Sequence, residues 1–203
     1  VYASSAAVYG LTVESEEIDE NERPLNIYGF SKLMFDNFVR NQQKKNNAAV
    51  VGLRFFNVYG PFEQQKGPMA SVISHFNEQI IKTKKIKVFK ASHGYADGMH
   101  SRDFVYVDDV VKVALWFGDD KARKRGIYNC GAGLSTPFRE VAEEVLKWHG
   151  FGEIDYVDFP PNLKSAYQPY TLANLDKLRA VGYSDGFTGI DKGIREYLSW
   201  INS

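Results

Sequence analysis

Tyr28 and Lys32 stand four residues apart in Ile27-Tyr28-Gly29-Phe30-Ser31-Lys32, and a serine pair, Ser4-Ser5, lies upstream at the end of an apolar, strand-like start. On a helix, residues i and i+4 share a face, so a phenol and an ammonium project into one pocket. A free phenol titrates near pH ~10 and is a poor base at neutrality. A cation within hydrogen-bonding range lowers an acid's pKa by roughly 1–3 units. A tyrosinate then comes within reach as a general base for a sugar or alcohol hydroxyl. A serine hydroxyl opposite it would hold the oxygen that becomes a carbonyl. The three residues read as hydride-transfer chemistry on a secondary alcohol. The spacing alone is weak, because with 12 Tyr in 203 residues one Tyr-x-x-x-Lys is expected by chance. A solvent-facing helix pair is the plainer reading of it.

The elements that must position these groups follow from periodicity and turn chemistry. The pattern predicts a strand over 1–4, a polar acidic loop through Pro24, and a helix over 25–45 with Phe35, Phe38 and Val39 on its buried side. Gly29 inside that helix costs roughly 1 kcal/mol. Close approach of a cofactor or substrate explains it, and so does an element packed against it. Residues 48–56 read as a central, apolar strand. A helix over 69–82 places Val72, Ile73, Phe76 and Ile80 on one stripe. Short strands follow at 86–89, 103–107, 126–130 and 153–158. Asp108 is expected to cap a helix running to Phe117, and Thr136 a helix with Pro137 at its first position, running to His149. Residues 93–100 read as a mobile loop, 121–126 as a basic turn, and 172–181 and 189–202 as short helices. Strands alternating with helices mean an α/β fold with a parallel sheet.

Composition removes several classes of function. Twenty-five basic residues balance 25 acidic ones, which argues against a nucleic-acid or membrane-surface partner. No apolar run approaches the roughly 20 residues of a membrane span. The single cysteine, Cys130, reads as a buried packing residue, and a cytoplasmic location follows from it. The four histidines show no metal-ligand spacing. A dinucleotide fold needs a glycine-rich strand-to-helix turn near its start. Gly186, Gly189 and Gly193 have the wrong spacing for one and read as a loop entering the last helix. The chain is therefore expected to be a C-terminal portion lacking about a hundred residues of the first βαβ units, and to be inactive by itself.

Several segments, in order, resemble the extended short-chain dehydrogenase/reductase family of nucleotide-sugar epimerases and dehydratases. They are Ser4-Ser5 followed by Ala6-Ala7-Val8-Tyr9-Gly10, then Tyr28 and Lys32, then Arg54-Phe55-Phe56-Asn57-Val58-Tyr59-Gly60-Pro61. The resemblance implies the C-terminal part of a doubly wound, Rossmann-type parallel sheet plus a smaller substrate-binding domain. Residues 1–56, 104–132 and 169–193 would belong to the first, and 57–103, 133–168 and 194–203 to the second. Dehydratases of the family carry an Asp-Glu pair where this chain has Ala6-Ala7. Methyl groups move no protons, so elimination is disfavoured and epimerisation remains.

Asn57 to Ser71, with Phe104-Val105-Tyr106-Val107-Asp108-Asp109-Val110, Leu115-Trp116-Phe117 and Tyr167-Gln168, is similar to the branch of the family that inverts C6 of ADP-heptose. That likeness implies Tyr28 as one acid/base, Lys32 beside it on the nicotinamide ribose, and Lys66 as a second acid/base from the opposite side. Ser4 or, preferably, Ser5 would hold the reacting oxygen. Val58 would touch the cofactor, as would Tyr28 and Lys66. Asn57 and His75 would touch the sugar, Arg102 the diphosphate. Phe89, Lys90, Ala91 and Ser92 would line the nucleotide pocket under Tyr167. The likeness further implies NADP, with NAD left open by the residues themselves, and a homo-oligomer, commonly a pentamer. Pro68 departs from the pattern, since the family has a substrate-touching serine there, and the 93–100 loop is longer than usual.

Plainer roles stand beside these. Lys66 reads as a solvated lysine, His75 as a half-buried helix histidine, Phe89 as core. Arg102 reads as a salt-bridge partner of Asp103, Tyr167 as a loop anchor beside Pro169, and Gly131-Ala132-Gly133 as a tight turn rather than a phosphate loop. Two other functions remain open: a UDP-hexose 4-epimerase that works without Lys66, and a binding module without turnover.

Overall fold

The computed structural model describes residues 1–13, 15–119, 124–161 and 167–203. Strands β1 (Tyr2–Ser5), β2 (Val51–Phe55) and β6 (Gly126–Cys130) form a parallel sheet in the order β1-β2-β6. Ser4 lies opposite Arg54, and Arg54 opposite Asn129. Helix α1 (Ile27–Lys45) joins β1 to β2. Asn26 caps it by accepting the Gly29 N–H, and Lys44 and Lys45 sit in its last turn, where the helix dipole favours cations.

Strands β3 (Asn57–Tyr59) and β5 (Ser101–Tyr106) pair in parallel, and the short β7 (Ser135–Pro137) adds antiparallel to β5. A third, two-stranded parallel sheet joins β4 (Lys85–Phe89) to β8 (Glu153–Val157). Helices α2 (Val72–Thr83), α3 (Val107–Gly118), α4 (Phe138–His149), α5 (Asp176–Ala180) and α6 (Ile190–Ile201) complete the elements.

Strand β5 separates two cores because successive side chains of a strand point to opposite faces. Phe104 and Tyr106 join Tyr59, Ile73, Phe76 and Ile194 in one core, while Val105 joins Leu53, Val113, Tyr128 and Cys130 in the other. Burial pushes the Cys130 thiol up to about 12, as suits a packing residue.

Several expectations need correction. Phe35 and Phe38 are exposed, and α1 buries Gly29, Asp36 and Val39 instead. Gly29 answers to packing: a Cβ there would lie 2.6 Å from the Ala7 carbonyl oxygen in the 3-10 turn Ala6–Tyr9. Helix α2 starts at Val72 behind a Ser71 cap, not at Met69. Asp108 is no cap, since Tyr106 holds that position and Asp108 lies in the first turn of α3. Thr136 sits in β7 and Pro137 is the cap position of α4. The first open amides of α4 are satisfied by loop carbonyls instead, Phe138 N–H on His100 and Arg139 N–H on Gly98. Residues 93–100 are tied down rather than loose: Ser92 bridges Tyr95, Gly98 N–H reaches Phe89, and His100 is buried. The helix expected at 172–181 is confined to α5. Residues 121–123 of the expected basic turn lie outside the described residues.

Candidate active site

A cavity of about 620 Å³ opens where β1 and β2 end. The carboxyl ends of parallel strands are where such sheets bind ligands, because the chain turns away there and leaves a crevice. Ser4, Ser5, Tyr28, Lys32, Asn57, Val58 and Lys66 all line it. The i, i+4 spacing of Tyr28 and Lys32 brings the Lys32 ammonium 5.7 Å from the centre of the Tyr28 ring. The same ammonium donates to the Ala3 carbonyl at 3.0 Å, which anchors it to β1 and leaves its other hydrogens for a ligand.

The two serines are not equivalent. Ser4 Oγ donates to Asp36 at 2.9 Å and is thereby committed to the interior. Ser5 Oγ accepts the Ala7 N–H at 3.2 Å, so its own proton stays available to an oxygen in the cavity.

A buried charged network, unforeseen from sequence, holds these parts together. Asp36, one turn beyond Lys32, accepts from Tyr2 Oη at 2.8 Å and from Arg54 Nε and Nη2 at 3.0 and 2.9 Å. Arg54 is fully buried, also pairs with Glu22, and lies 4.9 Å from the centre of the Tyr9 ring. Burial alone would raise the Glu22 carboxyl, but Arg40 and Arg54 beside it bring it below its usual value. Helix α1 is thus bolted to both strands beneath the serines. The available signal was an arginine inside the apolar strand Val51-Gly52-Leu53-Arg54-Phe55, since a charge there demands a buried carboxylate.

A second cavity of about 570 Å³ adjoins the first. Asn57, Ala70, Val72 and Phe138 line both. His75, Phe89, Arg102 and Tyr167 line the second only. Arg102 is 8% exposed, and its guanidinium donates to the Ser101 carbonyl at 2.9 Å and lies 4.9 Å from the Tyr167 ring centre and 5.6 Å from that of Phe138. Burial lowers its pKa from the ordinary arginine value. No carboxylate pairs with it among the described residues. The alternative partner, Asp103, turns the other way and accepts the amides of Ala132 (2.6 Å), Gly133 (2.9 Å) and Ala173 (3.0 Å). Those contacts make Gly131-Ala132-Gly133 a turn built around a carboxylate, with the Ala132 and Gly133 amides already engaged.

The remaining residues are placed as follows. His75 Nε2 lies 3.4 Å from the Pro68 carbonyl. Phe89 meets Phe159 edge-on at 4.9 Å. Lys90, Ala91 and Ser92 are not brought into the cavity wall: Lys90 pairs with Asp158 at 2.9 Å, the Ala91 amide with Asp97 at 2.7 Å, and Ser92 Oγ with His100 Nε2 at 3.1 Å. His100, which the sequence pattern offered only as the end of a loop, does line the wall and packs on Tyr167 with ring centres 5.1 Å apart.

The donor set fits one end of a dinucleotide. The Tyr28 hydroxyl and Lys32 ammonium suit ribose hydroxyls, and Val58 and Phe55 supply apolar surface for a flat ring. Among the described residues no group of acids, histidines or cysteines could hold a metal ion, and no helix is long and apolar enough to cross a membrane.

The chain is similar to known proteins along nearly its whole length. The family model described as NAD dependent epimerase/dehydratase family matches residues 1–131. The chain is 50% identical over 198 residues to the ADP-L-glycero-D-manno-heptose-6-epimerase of Alkalilimnicola ehrlichii, covering 98% of this chain and 62% of that protein. Among solved structures, the ADP-L-glycero-D-manno-heptose-6-epimerase of Helicobacter pylori superposes with a TM-score of 0.83 at 32% identity, over 100% of this chain and 59% of that one. The UDP-glucose 4-epimerase of Thermus thermophilus, solved with NAD, does so with a TM-score of 0.78 at 28% identity, over 99% and 63%. The chain therefore spans somewhat under two thirds of the length of these relatives. With a matching family model over more than half its residues, and a phenol, an ammonium and a serine gathered at the ends of its parallel strands, the chain belongs to the NAD dependent epimerase/dehydratase family.

Proposed function

We propose that the protein inverts C6 of an ADP-linked glycero-manno-heptose by transient oxidation to a ketone and re-reduction, in the cytoplasm, as a homo-oligomer such as a pentamer. NADP is the proposed form of the cofactor. The observation that carries the reading is that Ser5, Tyr28, Lys32 and Lys66, drawn from a strand end, a helix and a separate turn, line one cavity. The 50% identity to a heptose 6-epimerase supports the choice of sugar.

A bound nicotinamide supplies the acceptor, and then the donor, of a hydride. The chain's own residues handle protons and position. Ser5 donates its free proton to the reacting oxygen. Tyr28 takes the hydroxyl proton as the ketone forms. Once the ketone presents its other face, its oxygen lies elsewhere, and Lys66 returns a proton from that side. Lys32 holds the ribose beside Tyr28. Arg102, a buried cation lacking a carboxylate partner among the described residues, receives the diphosphate, and Tyr167 covers it. The methyl groups of Ala6 and Ala7 cannot act as the Asp-Glu pair that the family's dehydratases carry at those positions.

The test is to incubate the intact protein with ADP-D-glycero-D-manno-heptose and, separately, UDP-glucose, and to follow both by proton NMR. The expected result is equilibration of the two C6 epimers and no change in UDP-glucose. Inversion at C4 of UDP-glucose with the heptose untouched would replace the reading by a 4-epimerase. Recovery of NAD rather than NADP from the purified protein would correct the cofactor.

A further inference from the structure

We propose that Glu63 is a positioning residue: its buried carboxylate closes the loop that carries Lys66 and so fixes the Lys66 ammonium at the cavity. The inference rests on the reading of Lys66 as the second acid/base.

The loop leaves β3 at Gly60 and enters α2 at Ser71. Its tip is polar and exposed, yet Glu63 within it is only 3% exposed. A carboxylate is buried at a cost unless its oxygens are satisfied. Both are satisfied by one residue at the far end of the loop: Oε2 accepts the Ser71 N–H at 2.8 Å and Oε1 the Ser71 hydroxyl at 2.5 Å. The Glu63 backbone carbonyl in turn accepts the Lys66 N–H at 2.9 Å. Ser71 is itself the cap of α2, whose N-terminal end favours a negative charge, and α2 is rooted in the core through Ile73, Phe76 and Ile80.

Lys66, by contrast, has no side-chain hydrogen bond or ion pair among the described residues. Nothing but the backbone places it. That backbone is held in an unusual path, with Phe62 at φ 70° and Gly67 at φ 53°. A Cβ at Gly67 would meet nothing within 4 Å, so the glycine serves the conformation and not a tight fit. A loop with strained residues and open space around its tip relaxes when the contact across its base is removed. The Glu63–Ser71 pair is that contact.

A double-mutant cycle tests this with Glu63→Ala, Lys66→Met and the pair, measured on ADP-heptose. Glu63→Ala is expected to lower kcat by about 10- to 100-fold, the cost of a misplaced group, with KM little changed. Glu63→Gln keeps a carbonyl acceptor for the Ser71 amide and is expected to recover part of the rate. In the Lys66→Met background Glu63→Ala is expected to add no further loss. An equal loss in both backgrounds, or no loss in either, overturns the proposal while leaving Lys66 in its role. A wild-type rate for Lys66→Met alone overturns the two-base reading instead. If the alanine variant does not fold, Glu63→Gln carries the same cycle. Amide exchange at Lys66 and Ser71, read by mass spectrometry, is expected to be faster in Glu63→Ala, and less so in Glu63→Gln, than in wild type, and unchanged exchange in Glu63→Ala overturns the proposal independently of turnover.

Discussion

The two adjoining cavities are built in different ways. Around Tyr28 the phenol, the ammonium and Ser5 stand on helix α1 and strand β1, locked to β2 by the Asp36–Arg54 pair, and the loop of Lys66 closes the far side. Around Arg102 the wall is faced by the rings of His75, Phe76, Phe89, His100, Phe138 and Tyr167, carried on α2, β4, α4 and the segments around His100 and Tyr167. Proton transfer tolerates little error in distance, so rigid elements suit the first. Recognition of a charged, planar ligand suits the second, where a guanidinium among aromatic faces offers charge and surface without a fixed lattice of hydrogen bonds. Disabling the chemistry without touching the fold, and the fold without touching the chemistry, is the way to break this contrast.

The largest effect is expected from Tyr28→Phe. Tyr28 is 57% exposed and its hydroxyl makes no hydrogen bond among the described residues. Removing one oxygen should therefore leave thermal stability unchanged while epimerisation falls by about 10²- to 10⁴-fold. A variant that still turns over within tenfold of wild type would move the chemistry away from this cavity. Next is Asp36→Ala, which strands the buried Arg54 and leaves the hydroxyls of Tyr2 and Ser4 without their acceptor. Loss of one partner of a buried pair costs about 3–5 kcal/mol, and the urea midpoint should fall accordingly. A midpoint close to wild type would mean that Glu22 alone satisfies Arg54.

Arg102→Met should act on the other cavity. Losing a charge-assisted contact of about 1.5–3 kcal/mol weakens ADP binding by about 10- to 100-fold in calorimetry. Turnover at saturating substrate should change far less. Arg102→Lys should not restore affinity, because a lysine lacks the planar fork that stacks on Tyr167 and grips a diphosphate. Restoration by lysine would reduce the site to simple charge.

The same contrast explains what could be read from the chain. Tyr28 and Lys32 are a local i, i+4 pair, and α2, β2 and β6 carry plain apolar patterns, so these elements and the fold class were legible. Arg102 is singled out by the sequence, but its isolation from Asp103 depends on the distant amides of Ala132, Gly133 and Ala173 that claim the carboxylate. The buried face of α1 was misread because burial there follows a charge: Asp36 goes in, and Phe35 and Phe38 stay out. Periodicity counts apolar residues and is blind to a carboxylate buried by an arginine on another strand. The expected caps at Asp108 and Thr136 failed for a related reason. The open amides of α4 find carbonyls supplied by the 93–100 loop, which no short window of sequence contains.

The smallest effect is a pH dependence on the Arg102 side. Burial holds His100 below the usual histidine value of 6.5, and the positive charges of His93 and Arg102 push the same way, against the Ser92 carbonyl. In the unfolded chain His100 takes up a proton as pH falls below 6.5, whereas in the fold it resists. Its contribution to stability is therefore complete above that value and is lost as pH falls through the lowered folded one. His149, lowered by burial beside Asn77, adds a slope of the same sign elsewhere. The quantity to measure is the difference between wild type and His100→Gln, whose amide can still reach the Ser92 carbonyl. Melting temperature should drop on acidification below pH 6.5 in both, and more steeply in wild type. Parallel curves would mean that the ring packed on Tyr167 opens to solvent before it charges, and that this wall is looser than its aromatic contacts imply.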